Sequence, residues 1–314
     1  ALREIDKAYS TFIMGAYIEH EINGRIHCQF YPLRKDEGGT VSGRFSSQNP
    51  NLQQVPKKDS EEYGAFDFQK LIRGIFIPEE GYLYGKIDYS QIEYRVIAHY
   101  ARGPRSEEVK EKYRNDPSTD YHKMVQGWAH DFGYDISRGD TKRINFGIAY
   151  YMGIPALCRK FNWPLEKAEA MMAMYKKTMP FIWPTRQAVV NVAKGRGYIT
   201  TILGRRARVS KKMKLEGKEY SMFNRLIQGS AADINKKGML DSWNAGIHEI
   251  LVPHITVHDE LGVSVPQSKI GLEAYRELKN CMEKAVELRV PVMAEAEIGP
   301  NWGECEAVDW DMYK

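Results

Sequence analysis

Four cysteines in 314 residues, Cys28, Cys158, Cys281 and Cys305, show neither close pairing nor zinc-ligand spacing. This argues against a disulfide framework and for reduced thiols in an intracellular setting, with no chemistry assigned to the sulfurs. No apolar run approaches the roughly 20 residues that a membrane-spanning helix needs, so no membrane partner is expected. The charged start, Ala1-Leu-Arg-Glu-Ile-Asp-Lys7, is unlike a secretory signal. An initiator Met is also missing, which points to a fragment or a processed chain. Internal repeats and low-complexity segments are absent, and the net charge of +4 is weak evidence for any partner.

The distribution of charge is more informative. Nine Lys or Arg lie between Lys194 and Lys218 against one acid, Glu216, whereas Glu295 to Asp311 holds six acids and no base. The basic stretch, set among Gly and Tyr, suits a phosphate backbone, although a solvated loop would also carry such lysines. The acidic stretch reads as solvated surface. A chain of this length can bury a substantial core in one divided domain or in two or three smaller ones.

Periodicity predicts an α+β chain. Residues 1–12 have a short helical period, and Ile22 to Phe30 reads as a hairpin turning at Asn23-Gly24. Residues 38–56, rich in turn formers and amides, read as a binding loop. Leu71 to Ile77 and Tyr82 to Ile87 read as strands around a Pro78–Gly81 turn, followed by a helix over Ile92 to Tyr100. Residues 106–204 are mainly helical, ending in a strand over Tyr198 to Leu203. A long helix is expected over 219–244. After it come a hairpin of Ile250–Ile255 and Leu261–Val265 with acids at its tip, a helix from Ser268 to Glu287 and a strand from Val292 to Ile298.

Three places carry chemistry. Ser137 with Asp140 makes a capping-box-like start to a helix whose stop is Gly153 and Pro155. Along it Arg138, Lys142, Phe146 and Tyr150 recur every four residues and form one slowly spiralling stripe. Two cations followed by two aromatics suit a nucleoside triphosphate, phosphates at one end and base at the other. An amphipathic helix would explain the aromatics as core but not the cations beside them. Asp88 and Asp259 each stand where an apolar, strand-like run stops. Singly, one reads as a helix cap and the other as a turn residue; together with Glu93, Glu260 and the cationic stripe they suggest carboxylates sharing divalent metals in a nucleotidyl transferase.

These residues resemble the family A, or polymerase I-like, DNA polymerases. Asp88-Tyr-Ser-Gln-Ile-Glu-Tyr-Arg95 is similar to that family's motif A, Arg138 to Tyr150 to motif B, and Val257-His-Asp-Glu260 to motif C. Ser42 to Gln53 resembles the minor-groove segment, and Gln228-Gly-Ser-Ala-Ala-Asp233 the primer-template helix. The resemblance runs from about residue 38 to the end.

It implies a polymerase palm with an antiparallel sheet and a helical fingers insertion, the thumb being largely absent. On this reading 1–105 is the end of the thumb and the first part of the palm, 106–205 the fingers with the motif B helix at about 137–152, and 206–314 the second part of the palm. The implied activity is template-directed DNA synthesis with two Mg2+ ions, held by Asp88, Asp259 and the Tyr89 carbonyl, with Glu260 in support. Arg138, Lys142 and His122 would contact the triphosphate, Lys142 as general acid. Gln91, Glu93, Phe146 and Tyr150 would complete the nucleotide site. Glu93 is implied as a gate against the ribose 2′-hydroxyl, and Phe146 as a discriminator against dideoxynucleotides. Arg44, Gln53, Asn224 and Gln228 would sense minor-groove acceptors, with His258 near the primer terminus, though a buried hairpin histidine is an equal reading for that position.

Three positions depart from the motifs. Tyr94 replaces the usual Leu, Tyr151 stands where Gly follows the motif B Tyr, and Tyr220 falls where Arg is often found. Implied partners are primer-template DNA and deoxynucleoside triphosphates, with an N-terminal thumb or exonuclease chain as a candidate. No proofreading site is expected here, and the setting is DNA-associated: cytoplasm, nucleoid or an infected host cell. The rival readings are a single-subunit RNA polymerase, against which Glu93 and Phe146 argue, and a DNA-binding subunit of a split polymerase.

Overall fold

The structure, a computed structural model, describes residues 6, 8–33, 39–55 and 68–313. A π-type helix covers Ala8–Tyr17 and leads through a 3-10 turn, Ile18–His20, into two short strands, β1 (Glu21–Ile22) and β2 (Arg25–Ile26). Asn23 and Gly24 between them have φ of 53° and 77°, as a two-residue hairpin turn requires. The hairpin is shorter than expected, because β3 (Gln29–Tyr31) leaves it to pair with β4 (Ser46–Gln48). The expected binding loop thus contains a strand and a 3-10 turn, Leu52–Gln54, started by the Asn51 side chain accepting from Gln53 N; part of the loop lies outside the described residues.

One expected strand is a helix. Leu71 to Ile77 falls largely within α1 (Phe68–Gly74), which buries Ile72 and Arg73 while Leu71, Ile75 and Ile77 stay exposed. A short apolar run has no period that separates strand from helix, so burial of two consecutive positions decided it.

The remaining elements follow in order: β5 (Tyr82–Tyr89), α2 (Ile92–Tyr100), α3 (Ser106–Asn115), α4 (Tyr121–Asp131), α5 (Arg138–Ala149), α6 (Ile154–Phe161), α7 (Leu165–Thr178), α8 (Ile182–Arg196), β6 (Tyr198–Thr200), β7 (Arg206–Arg208), α9 (Lys211–Leu215), α10 (Met222–Asn244), β8 (Val252–Val257), β9 (Glu260–Pro266), α11 (Lys269–Lys284), β10 (Ala294–Gly299) and β11 (Glu306–Ala307). Helix α5 stops at Ala149, short of the expected Gly153, where Tyr151 takes the left-handed φ of 73°.

The chain forms two compact units, divided within α10 between Ser230 and Ala231. The first comprises residues 1–90, 231–287 and 292–314. Its sheet has the order β11-β10-β5-β9-β8, antiparallel at every pairing. Helix α11 packs on one face, where Gly85 is needed: a Cβ there would come within 2.8 Å of both the Tyr275 ring and Val265. Tyr275 donates to the Lys86 carbonyl, and Tyr89 to the Met282 carbonyl at 2.9 Å. The opposite face buries Tyr17, Leu52, Val55, Ile72, Tyr84, Val257 and Trp302 together.

The second unit comprises residues 91–230 and 288–291. Its interior is rich in tyrosine, with Tyr94, Tyr113, Tyr121 and Tyr175 all buried. Arg95, wholly buried, lies over the Tyr113 ring and donates to the carbonyls of Pro117 and Pro291, each at 2.7 Å. Charge-assisted bonds at both ends of the guanidinium offset the cost of burying it.

Candidate active-site residues

In the first unit, strand pairing brings the two distant acidic motifs side by side. Asp88 is the register partner of Glu260 on β9, and Tyr89 N donates to the Asp259 carbonyl at 3.3 Å. Asp259 and His258 are the two residues between β8 and β9, whose last pair is Val257 with Glu260. His258 takes the left-handed φ of 59°, which makes this tight turn possible. Period-two alternation puts Asp88 on the same face as Tyr84, away from α11. Asp88 and Asp259 are half-buried and His258 is exposed.

Glu260 is 3% exposed; its carboxylate accepts from Trp302 Nε1 at 2.7 Å and lies 3.8 Å from Arg73 Nη1. The Arg73 guanidinium in turn rests on the Trp302 ring, 4.2 Å from its centre. Burial lowers the Arg73 pKa, and Glu260 opposes that shift. Glu260 is therefore anchored in the core, one strand position from Asp259. The sequence contained no signal for Arg73 or Trp302 as its partners, which are far away along the chain.

The donor set fits divalent metal. Asp88 stands between Glu295 on β10 and Glu260 on β9 in the register, and the Arg73 charge acts on both Glu260 and Asp88. The carboxylates of Asp88 and Asp259 and the Tyr89 carbonyl offer hard oxygen donors, the type that Mg2+ prefers. Among the described residues, no three His, Cys, Asp or Glu side chains converge as a ready-made cage.

The second unit carries the cationic stripe. Ser137 accepts from Asp140 N at 3.0 Å and caps α5, as its sequence predicts. Arg138 and Lys142 are exposed, Phe146 and Tyr150 half-buried, while Thr141, Ile144, Asn145, Ile148 and Ala149 form the buried side. Phe146 and Tyr150 stack with ring centres 6.0 Å apart, and Tyr150 donates to the Glu93 carboxylate. Gln91 accepts from Tyr121 N at 3.0 Å. Tyr150 also touches Phe223 on α10, the helix that bears Asn224 and Gln228.

His122, expected as a phosphate ligand, is 2% exposed and meets Asn145 Nδ2 at 3.0 Å through Nδ1. Burial pushes its pKa down to about 4, with Lys142 and Arg138 adding to the shift against Asp120. It is a neutral imidazole near neutral pH, able to donate a proton in a hydrogen bond but adding no positive charge. Asp120, absent from the residues expected at the site, caps α4 and binds Arg138 at 2.8 Å. Its place as an Asp two residues before His122, at the start of a helical period, was the available signal.

The remaining candidates are more scattered. Gln53 is buried and its amide is committed to the Thr256 carbonyl at 3.2 Å, which ties its loop to β8. Arg44 is half-buried in the first unit, whereas Asn224 and Gln228 are half-buried in the second. Of the motif departures, Tyr151 and Tyr220 touch each other at 5.2 Å, and Arg186 stacks on Tyr151 at 3.5 Å.

Comparison with known proteins gives these features a family. The chain is 32% identical to a DNA-directed DNA polymerase of Pseudomonas phage M6, over 98% of this chain and 51% of that protein. It is 32% identical to the thermostable DNA polymerase I of Thermus aquaticus, over 96% of this chain and 35% of that one. The match to DNA polymerase I of Geobacillus stearothermophilus is 33%, over 96% and 34%. The chain thus spans about half the length, or less, of these relatives. Its fold matches the POL domain of Pol1 from M. smegmatis, solved with DNA primer-template and dNTP, at a TM-score of 0.80 and 28% identity, covering 96% of this chain and 52% of that one. Residues 1–304 match the model of DNA polymerase family A, and the chain belongs to that family.

Proposed function

We propose that this chain carries out template-directed addition of deoxynucleotides to a primer 3′ end, with two Mg2+ ions as cofactors. The observation that supports it best is the register of the palm-like sheet, in which Asp88 and Glu260 are paired and Asp259 is next to both. Asp88, Asp259 and the Tyr89 carbonyl would hold the metals. When bound, such ions make a primer hydroxyl more acidic and stabilise the charge of departing pyrophosphate. The Arg73–Trp302 pair keeps Glu260 in place and so fixes the backbone of Asp259.

On the second unit, Arg138 and Lys142 would neutralise the triphosphate, and His122 would donate a neutral hydrogen bond from Nε2 while Asn145 holds Nδ1. Lys142, exposed and on the phosphate end of the stripe, would protonate the pyrophosphate. Phe146 and Tyr150 offer flat faces to the nucleotide. Glu93, held by Tyr150, would block a 2′-hydroxyl. Arg44, Asn224, Gln228 and His258 would contact primer-template DNA; Gln53 would act through its loop. The division at residues 1–105, 106–205 and 206–314 into palm, fingers and palm remains part of this reading, although compactness places the boundaries at 90/91 and 230/231.

Primer extension tests the proposal. The wild-type chain should extend a primed template with deoxynucleotides and Mg2+, prefer them to ribonucleotides, and lose extension in Asp88→Ala. Equal extension by wild type and Asp88→Ala would overturn the metal assignment, and a preference for ribonucleotides would favour an RNA polymerase.

A further inference from the structure

We propose that Tyr94 is a positioning residue that sets the rings of Phe146 and His122 and thereby the enzyme's sugar selectivity; this rests on the polymerase reading above. Tyr94 is 2% exposed on α2, next to Glu93. Its ring meets that of His122 at 5.0 Å and that of Phe146 at 5.2 Å, both edge to face, and stacks on Tyr121 at 5.7 Å. Its hydroxyl lies 3.3 Å from that of Tyr175, which approaches the Asn145 carbonyl at 3.5 Å. Asn145 holds His122, closing a circuit of contacts back to Tyr94. One side chain thus ties α2, α4, α5 and α7 together behind the nucleotide-binding rings.

The geometry asks for an aromatic ring at this position. Edge-to-face contacts fix ring orientation as well as distance, which a Leu, the usual residue at this motif position, cannot do. The Tyr94 hydroxyl meets that of Tyr175, which keeps the Asn145 carbonyl as a second partner, so the ring of Tyr94 rather than its hydroxyl carries the positioning. Phe146 and Tyr150 share a stack, so a tilt of Phe146 would reach the Tyr150–Glu93 bond that holds the proposed sugar gate. Packing alone would make Tyr94 matter for stability; positioning makes it matter for which nucleotide is taken.

Single-nucleotide incorporation by wild type, Tyr94→Phe and Tyr94→Leu separates these roles, with thermal unfolding to establish that each variant is folded. Tyr94→Leu should raise KM for a deoxynucleotide about tenfold, leave kcat within about threefold, and lower the preference for deoxy- over dideoxynucleotide about fivefold. Tyr94→Phe, which keeps the ring, should remain within about twofold of wild type on all three. By NMR, the His122 titration midpoint should rise from about 4 in Tyr94→Leu as water reaches the imidazole. A folded Tyr94→Leu with unchanged KM, selectivity and His122 titration would overturn the proposal, as would equal selectivity losses in Tyr94→Phe and Tyr94→Leu. If Tyr94→Leu does not fold, Tyr94→Met, whose flexible chain fills the space without a flat face, decides in its place. Failure of the wild type to incorporate any nucleotide would sink the polymerase reading instead, and the His122 titration would still decide whether Tyr94 positions that ring.

Discussion

Arg138 Nη2 donates to Asp120 Oδ2 at 2.8 Å, while the other oxygen of that carboxylate accepts from the backbone N–H groups of His122 and Lys123. One side chain therefore starts helix α4 and holds the first cation of the α5 stripe. Burial by itself would raise the Asp120 pKa, but the Arg138 bond and the two amide bonds outweigh it and leave the carboxyl below its usual range. In the proposed reaction, incoming phosphates compete with Asp120 for this guanidinium.

Asp120→Ala should cost about 1 kcal/mol of stability, mostly through the lost helix cap, because the exposed Arg138 makes the ion pair itself weak. Asp120→Asn keeps the cap and should cost less than half of that. Denaturant unfolding of the two variants checks the order, and equal losses would assign the stability to the ion pair.

Stability should fall as pH is lowered from about 6.5 to about 4, because the unfolded chain protonates His122 near 6.5 while the folded chain resists until about 4. The unfolded state then binds more protons, so the slope of stability against pH is positive in that window and flat above it for this residue. The loss reaches about 3 kcal/mol by pH 4. Urea unfolding at several pH values should show this slope in wild type and its reduction in His122→Gln.

Trp302→Ala should destabilise the first unit by about 4 kcal/mol, since it opens a core cavity and removes both the Glu260 donor and the surface under Arg73. Trp302→Phe, which keeps most of the ring but deletes the N–H donor, should cost about 2 kcal/mol. Chemical denaturation measures both, and loss of primer extension in folded Trp302→Phe would show that Glu260 must be held for Asp259 to work.

Lys142→Ala should lower kcat about a hundredfold if Lys142 is the general acid. Arg138→Ala should instead raise KM about tenfold with a smaller effect on kcat. Steady-state incorporation kinetics distinguish them, and identical KM effects without a kcat loss would make both residues simple phosphate binders.

Local signals were legible where the chain's own chemistry sets the backbone. Ser137 caps α5, Asn23-Gly24 turns a hairpin, and the stripe of Arg138, Lys142, Phe146 and Tyr150 keeps two exposed cations next to two half-buried rings. The cap and the turn depend on residues a few positions apart, and the stripe on a four-residue repeat along about three turns of one helix, so spacing suffices. The Leu71–Ile77 segment failed for the opposite reason: a run that is apolar at nearly every position fits either period, and the burial of Ile72 and Arg73 against distant residues chose the helix.

The sequence by itself determined the motifs, the caps and the acidic residues available for metal. Tertiary structure decided their partners: Glu260 with Trp302 and Arg73, Gln53 with Thr256, His122 with Asn145, and Tyr94 with Phe146. Those pairs are separated by 23 to more than 200 residues, so no local period encodes them. They form because a buried polar group must find a partner and a buried ring must find a complementary face, and only the folded core brings the candidates within reach.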